Sequence, residues 1–289
     1  MNYITNCYNV PGYIFEALEQ IKHIVLDLDG TIYKDNTIFP YTIDFLNTLK
    51  SLGITYSFLT NNSSMGTSEH LLKLGTMGIC VSSRELYTSA DATIYFIKTN
   101  YPEWRYLFIL GTPSLSLQFE KSGFVVLDEV SDKDPDALIV SFDTSLTYAS
   151  LCRAAWWVKQ GKPYFGTHPD LTCPSDQDTI LVDCGAICAA IEAATGRKPD
   201  KILGKPQAEM LKEIINFQGL HPSEVAMVGD RLCTDILTSR NAGTFGALVL
   251  SGETVLDDVR DGIEPQPDLV VPSIKELGEL MVYTRVRVC

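Results

Sequence analysis

The sequence predicts an α/β protein built on a parallel sheet. Two observations carry that expectation: strand-length apolar runs alternate with helical stripes, and polar clusters follow directly on the strands. Ligands of open α/β sheets bind outside the carboxyl ends of the strands, so these clusters stand where such a fold places its chemistry.

Ile14, Leu18 and Ile21 fall at roughly helical spacing within residues 1–21, which predicts a short N-terminal helix. Ile24-Val25-Leu26 reads as a buried strand ending at Asp27. Ile43, Leu46, Leu49 and Leu52 form a stripe over 41–52, with Phe45 at its edge, and Gly53 stops that helix. Ile54 to Leu59 is a second strand. Thr60-Asn61-Asn62-Ser63-Ser64 ends it and opens a helix through Leu71 and Leu72 to Gly75.

Further strands are expected at Tyr106 to Leu110, Phe124 to Leu127, Ala137 to Val140 and Tyr164 to Thr167. Helices are expected at Tyr148 to Lys159 and at Gly185 to Thr195, the latter stopped by Gly196. Val225 to Val228 is a short strand ending at Gly229-Asp230-Arg231-Leu232-Cys233-Thr234-Asp235. A helix with Ile236 and Leu237 follows, then the strand Phe245 to Leu250. The tail from Tyr283 to Val288 reads as a terminal strand or frayed end.

Composition bounds the function. The 289 residues are 45% hydrophobic and 20% charged, the balance of a soluble chain with a full core. A formal net charge of −13 argues against nucleic acid and anionic membrane as partners, because both repel it. It also obliges any site for an anion to supply its own positive charge. No apolar run approaches the roughly 20 residues a bilayer requires. Met1 to Val10 lacks the basic start and apolar core of a secretory signal. The eight cysteines, Cys7, Cys80, Cys152, Cys173, Cys184, Cys188, Cys233 and Cys289, are scattered singly. That points to the reducing cytoplasm, with most of them packed as small apolar residues. Cys184 and Cys188 could share a helix face, but no second pair completes a four-ligand metal site.

Asp27 and Asp29, separated by one residue just after a strand, form a compact acidic tip. Residues i and i+2 of an extended segment point the same way, so the two could address one ligand in different roles. Gly30 lets the chain turn away. One carboxylate can attack phosphorus, and the other can protonate a leaving alcohol and then activate water. Attack by an anion on a phosphate needs a metal and a cation. A calcium loop does not fit, since its sixth and twelfth positions hold Ile32 and Ile38 in place of Gly and Glu. An idle acidic turn remains open for the run taken alone.

Three further clusters bear on that choice. Thr60, Asn61 and Asn62 offer a hydroxyl, amides and backbone N–H groups that suit a phosphate, or an ordinary helix cap. Gly204-Lys205-Pro206 holds one lysine between a flexible and a rigid residue. Asp230 and Asp235 follow a third strand.

Together the four clusters resemble the motifs of the haloacid dehalogenase superfamily. They are Asp27-Leu28-Asp29-Gly30-Thr31, Thr60, Lys205, and Gly229-Asp230-Arg231 with Thr234-Asp235. Thr60-Asn61-Asn62-Ser63, Leu86-Tyr87-Thr88-Ser89-Ala90, Thr167-His168-Pro169-Asp170, Cys184-Gly185-Ala186 and Gly204-Lys205-Pro206 narrow the resemblance to subfamily IIA, the NagD-like and p-nitrophenyl phosphatase group. It spans about residue 20 to about residue 280.

The resemblance implies a Rossmann-like core of residues 1–85 and 199–289, interrupted by a large α/β cap at roughly 86–198 that selects the substrate. It implies a Mg²⁺-dependent phosphatase of small phosphomonoesters in the cytoplasm: sugar phosphates, phosphoglycolate, nucleotides or pyridoxal phosphate. Asp27 is then the nucleophile and Asp29 the general acid and base. Thr60 and Asn61, with Asn62 beside them, bind phosphoryl oxygens, and Lys205 neutralises charge. Mg²⁺ is held by Asp27, the Asp29 backbone carbonyl and Asp230, with Asp235 ordering its outer shell or Lys205. The cap loop His168-Pro169-Asp170 faces the site and sets specificity. Similar proteins dimerise through the cap, so a homodimer is the implied assembly.

Two departures stand out. His168 occupies a position where the family more often has Asn, and Thr179-Ile180-Leu181-Val182-Asp183 replaces an expected Pro-containing run. Asp183 is read as a surface residue or a substrate contact. Trp156-Trp157 reads as core or cap interface, and His23 as structural. A phosphomutase would need a cap that excludes water while retaining product. A catalytically dead scaffold would normally lose one of Asp27, Asp29, Lys205 or Asp230, and all are present. A dehalogenase makes no such use of Asp29.

Overall fold

The computed structural model describes residues 11–173, 178–259 and 265–286. Met1 to Val10, Cys7, Cys289 and the tail residues Arg287 and Val288 lie outside the described residues.

In chain order the elements are α1 (Gly12–Gln20), β1 (His23–Leu26), β2 (Tyr33–Lys34), β3 (Thr37–Ile38), α2 (Thr42–Ser51), β4 (Thr55–Thr60), α3 (Thr67–Thr76) and β5 (Leu86–Thr88). Then come α4 (Ser89–Asn100), β6 (Tyr106–Leu110), α5 (Pro113–Lys121), β7 (Val125–Leu127), β8 (Ala137–Val140), α6 (Tyr148–Lys159), β9 (Tyr164–Gly166), β10 (Thr172–Cys173), β11 (Leu181–Val182) and α7 (Cys184–Thr195). The chain closes with β12 (Lys201–Ile202), α8 (Glu209–Gln218), β13 (Val225–Gly229), α9 (Leu237–Ala242), β14 (Phe245–Val249), β15 (Leu269–Val271) and α10 (Ile274–Val286). The expected α/β architecture on parallel sheets is present. The chain divides into two compact units: Met1–Leu59, Leu74–Leu86 and Lys205–Cys289 form the first, and Thr60–Lys73 with Tyr87–Gly204 the second.

The first unit is built on a sheet of order β15-β14-β13-β1-β4-β5, parallel from β15 through β4. Every residue of β1 is buried, which is why it reads as an unbroken apolar run. His23 is the polar exception. Its Nδ1 and Nε2 bond the hydroxyls of Thr55 and Ser57 on β4 at 2.7 and 2.9 Å. Burial pushes its pKa down to about 4, so the ring is neutral and structural.

Two expectations for this unit are revised. The buried face of α2 is Thr42, Phe45, Leu46 and Leu49, and Ile43 is exposed. Phe45 belongs to the stripe because its ring packs against Gly278 of α10, where a Cβ would stand 3.0 Å away. The tail is no strand: Tyr283 to Val286 complete α10. Ile274, Leu277, Leu280 and Met281 recur at helical spacing and are buried. Tyr283 meets Phe15 of α1 at 5.7 Å between ring centroids, and Arg285 donates to the Ile21 carbonyl at 2.8 Å.

The second unit has its own parallel sheet, of order β12-β9-β8-β6-β7. Its side chains alternate between two layers. Leu107, Ile109, Ala137 and Ile139 pack with Ala90, Ile94 and Ile97 of α4 and Leu115 and Phe119 of α5. Phe108, Leu110, Leu138 and Val140 pack with Ala154, Trp157 and Val158 of α6 and Ile187 and Ile191 of α7. Helices therefore cover both faces, the arrangement that makes each strand apolar throughout. Trp157 is core, whereas Trp156 is 46% exposed, with the Arg153 guanidinium near both rings. Among the described cysteines only Cys184 and Cys188 are buried. Cys80, Cys152 and Cys233 are exposed, so packing as small apolar residues holds for the minority.

Candidate active site

Two adjacent parallel strands of the first unit deliver its acidic residues. Leu26 of β1 stands opposite Val228 of β13, and Asp27 N donates to Val228 O at 2.9 Å. Asp27 follows β1 directly, and Asp230 follows β13. Asp235 comes from a single π-helical turn, Leu232–Ile236, ahead of α9. Such turns recur at functional sites because they re-aim one side chain. Carboxylate oxygens of Asp27, Asp230 and Asp235 lie within 4.8 Å of one another. Lys205 Nζ bridges two of them, at 2.5 Å to Asp27 Oδ1 and 2.6 Å to Asp235 Oδ1. All four side chains are buried.

Glycines make this density feasible. A Cβ on Gly30, which sits at φ +80°, or on Gly252 would strike the Asp230 carboxyl, and one on Gly229 would strike Asp235. The loop after β14 completes the wall: Glu253 N donates to Asp230 Oδ2 at 2.7 Å and Ser251 Oγ to Gly30 O at 2.7 Å. Sequence reading stopped at Leu250 and missed this loop. The Ser251-Gly252 pair directly after a strand was its only signal.

Charge in the cluster does not balance. Burial pushes the Asp27 carboxyl well above its ordinary pKa, against the opposing charge of Lys205. Burial, then the charge of Asp235, pushes Asp230 up to about 7. Burial acts to lower the Lys205 pKa, but Asp235 and Asp27 outweigh it and keep the ammonium charged. Lys205 bridges Asp27 and Asp235, and the charges of Arg231 and Lys205 only partly offset the burial of Asp230. Asp230 Oδ1 is moreover buried without a hydrogen-bond partner among the described residues. An orphaned buried oxygen costs ~1–3 kcal/mol, more if charged. An all-oxygen, anionic donor set with one unfilled atom fits a hard divalent cation such as Mg²⁺.

Asp29 is half-buried and accepts a hydrogen bond from Tyr33 Oη at 3.3 Å. The chain does not stay extended here. The N–H groups of Thr31, Ile32 and Tyr33 all close on Leu28 O, so the chain turns back just after Asp29.

In the second unit, Thr60 is the last residue of β4, but Thr60-Asn61-Asn62 do not open a helix. α3 begins at Thr67. The intervening residues form tight turns instead. Asn62 N donates to Thr60 Oγ1 at 3.0 Å, and Asn62 Oδ1 accepts from Ser64 N at 3.1 Å and Ser64 Oγ at 2.7 Å. Such side-chain turns compete with helix initiation. Asn61 is buried and its Nδ2 donates to Asp170 Oδ2 at 3.2 Å.

The loop His168-Pro169-Asp170 follows β9. His168 is fully buried, with Nδ1 at 2.8 Å from Thr167 Oγ1 and Nε2 at 2.8 Å from Asp183 Oδ1. Its ring thus presents no open nitrogen, and Asp170 is the half-buried carboxylate of the loop. Asp183 is not a surface residue. It is buried and caps α7, accepting from Cys184 N at 2.6 Å.

The chain is similar to known proteins along most of its length. A haloacid dehalogenase-like hydrolase profile matches residues 24–125, and an HAD-like hydrolase profile matches residues 202–277. The chain is 33% identical over 257 residues to the ribonucleotide monophosphatase NagD of Escherichia coli K12, covering 89% of this chain and 98% of that one. It is 31% identical over 262 residues to an acid sugar phosphatase of Staphylococcus aureus USA300, covering 91% and 97%. The structure of a 4-nitrophenylphosphatase from Thermotoga maritima superposes with a TM-score of 0.84 at 41% identity, covering 91% of this chain and 98% of the other.

Proposed function

Because this chain belongs to the haloacid dehalogenase-like hydrolases, in subfamily IIA with the NagD-like and p-nitrophenyl phosphatases, and is a phosphoric monoester hydrolase, we propose that it cleaves small phosphomonoesters with Mg²⁺ through an aspartyl phosphate on Asp27. The observation that carries this reading is the buried cluster of Asp27, Asp230, Asp235 and Lys205, with its surplus of negative charge and its unfilled Asp230 oxygen.

In this reading an Asp27 carboxylate oxygen bonds to phosphorus as the ester P–O bond breaks. Asp29 passes its proton to the departing alkoxide, and Tyr33, already bonded to it, steadies that carboxyl. Asp29 then takes a proton from water as the water oxygen attacks phosphorus, which frees phosphate and restores Asp27. Lys205 favours the ionised Asp27 and offsets the negative charge gathering there. Asp27, Asp230 and the Asp29 carbonyl would hold the metal, with Asp235 supporting from outside. When bound, it neutralises phosphoryl charge.

Thr60 and Asn61 are proposed to contact the phosphoryl oxygens, with Asn62 shaping their turn. Residues 86–198 are proposed as a substrate-selecting cap, with Asp170 its polar contact. The relatives that act on ribonucleotides and on sugar phosphates favour those two substrate classes for a first screen, ahead of phosphoglycolate and pyridoxal phosphate. A cytoplasmic setting and a homodimer through the cap belong to the same proposal.

The test is hydrolysis of p-nitrophenyl phosphate with and without Mg²⁺, in wild type and Asp27→Asn. The reading expects turnover that chelation abolishes, and a loss of at least about a thousandfold in the variant. Wild-type turnover in Asp27→Asn would overturn the nucleophile. Turnover indifferent to chelation would overturn the metal.

A further inference from the structure

The two places where the sequence departs from the family pattern, His168 and the run ending at Asp183, meet in the second unit. His168 Nε2 lies 2.8 Å from Asp183 Oδ1, and both side chains are buried. The contact ties loop 168–171 to the start of α7, and two backbone bonds reinforce it: Gly185 N to Asp170 O at 2.8 Å and Asp183 N to Leu171 O at 3.0 Å. Gly185 has no room for a Cβ, which would collide with the Pro169 carbonyl.

From that anchored loop two hydrogen-bonded arms reach the segment after β4. One is direct, Asn61 Nδ2 to Asp170 Oδ2 at 3.2 Å. The other is a row of hydroxyls: Thr167 Oγ1 lies 3.0 Å from Ser141 Oγ, which lies 2.6 Å from Ser63 Oγ. The segment is pinned elsewhere as well. Ser89 Oγ donates to Asn61 O at 2.9 Å, and a Cβ on Gly204 would meet Asn61 Oδ1 at 2.6 Å. Asn61 can therefore turn its amide only if Asp170 moves, and Asp170 rides on the loop that Asp183 holds.

We infer that His168 and Asp183 are a buried positioning pair that locks loop 168–171 onto residues 61–63 and so sets the orientation of the Asn61 amide. This rests on the proposal that Asn61 contacts the phosphoryl group.

The pair also sets the polarity of the hydroxyl row. A charged imidazole donates from both nitrogens, to Asp183 and to Thr167 Oγ1, leaving the Thr167 hydroxyl to donate onward to Ser141. A neutral ring that keeps its proton for Asp183 must accept at Nδ1. The Thr167 proton then turns back to the ring, and the row reverses. The titratable groups facing the ring are Asp183 and Cys184 from α7 and Asp170 from its own loop. Burial acts to lower the His168 pKa, but Cys184, Asp183 and Asp170 outweigh it and raise it to about 9.

The inference can be tested by nitrogen-15 NMR of the histidine rings and of the Asn61 side-chain amide, in wild type, Asp183→Asn and His168→Asn, alongside p-nitrophenyl phosphate kinetics. Asp183→Asn keeps the cap on α7 while removing the charge. In wild type, the Asn61 amide resonance should follow the His168 titration with one midpoint. In Asp183→Asn both should fall together by about one pH unit or more, a tenfold change in the protonation equilibrium. His168→Asn should raise KM about tenfold while kcat changes less than about twofold, the pattern of lost uniform binding. An Asn61 amide indifferent to His168 titration, or variants that lower thermal stability with KM and the Asn61 resonance unmoved, would reduce the pair to a structural contact. If wild type hydrolyses no phosphomonoester, the functional reading fails on its own, and the NMR titrations still decide this inference.

Discussion

Each unit gathers three metal-capable side chains within 4.8 Å: Asp27, Asp230 and Asp235 in the first, His168, Asp170 and Asp183 in the second. The first is open. It holds three buried carboxyl groups around a bridging lysine, and an Asp230 oxygen that nothing among the described residues satisfies. The second is closed. Both nitrogens of His168 are engaged, Asp183 Oδ1 accepts from the ring and from Cys184 N, and Asp170 Oδ2 accepts from Asn61. Donor type and proximity alone would rank them as equals. Hydrogen-bond satisfaction separates them, because a buried polar atom left unpaired calls for a ligand and a paired one does not. The first cluster is suited to bind and react, the second to hold.

The largest effect that could break this comparison concerns Lys205. Lys205→Met removes the partner cation that bridges Asp27 and Asp235, both buried. Urea unfolding should show a loss of ~3–5 kcal/mol, and turnover should fall at least about a hundredfold. A loss below 1 kcal/mol would mean that Lys205 does not hold the two carboxyl groups as the geometry implies.

Next comes His168→Asn, which removes the imidazole donor from the buried Asp183. The expected cost is ~2–3 kcal/mol by the same assay. A companion pH series sharpens it. The folded pKa of His168 lies above the unfolded one, so its contribution is full below about 6.5 and is lost as pH rises through about 9. His168→Asn should lack that alkaline loss.

Asp230→Asn is a smaller effect with an unusual sign. It removes a buried charge that has an unsatisfied oxygen, so the metal-free protein should melt ~2–4 °C higher than wild type. A lower melting temperature would say that the oxygen is already satisfied. The smallest effect belongs to His23, outside both clusters. Burial depresses its pKa to about 4, so its neutral form supports stability fully above about 6.5, and that support is lost as pH falls through about 4. Denaturation midpoints at pH 7 and pH 5 should differ less in His23→Gln than in wild type.

The inner strands of both sheets were legible because parallel strands covered on two faces read as unbroken apolar runs; Tyr106–Leu110 and Ala137–Val140 match the sequence reading residue for residue, whereas the short strands β5, β12 and β15 were not read. Helices with mixed faces were harder. α4 went unread although Thr88 and Asp91 announce its start, as did α5 despite Thr112-Pro113, and α8 despite the stripe of Met210, Leu211, Ile214 and Ile215 closed by Gly219. The hairpins β2–β3 and β10–β11 have two residues per strand, too few for any period to register.

At the site, Asp27, Lys205, Asp230 and Asp235 were marked by local motifs, and the fold brings them together. Glu253 N, Tyr33 and the His168–Asp183 pair were not foreseen as partners. Their roles come from tertiary placement, which no local pattern encodes. The reading of Asp183 as a surface residue or a substrate contact missed its role for the same reason: a helix cap and a buried partner look alike in sequence to a solvated acid.

The contrast between an open and a closed cluster is most directly tested by calorimetric titration of Mg²⁺ into wild type, Asp230→Asn and Asp183→Asn. The account predicts saturable binding by wild type, binding of unchanged stoichiometry by Asp183→Asn, and at least tenfold weaker binding by Asp230→Asn. Binding lost in Asp183→Asn and retained in Asp230→Asn would contradict it.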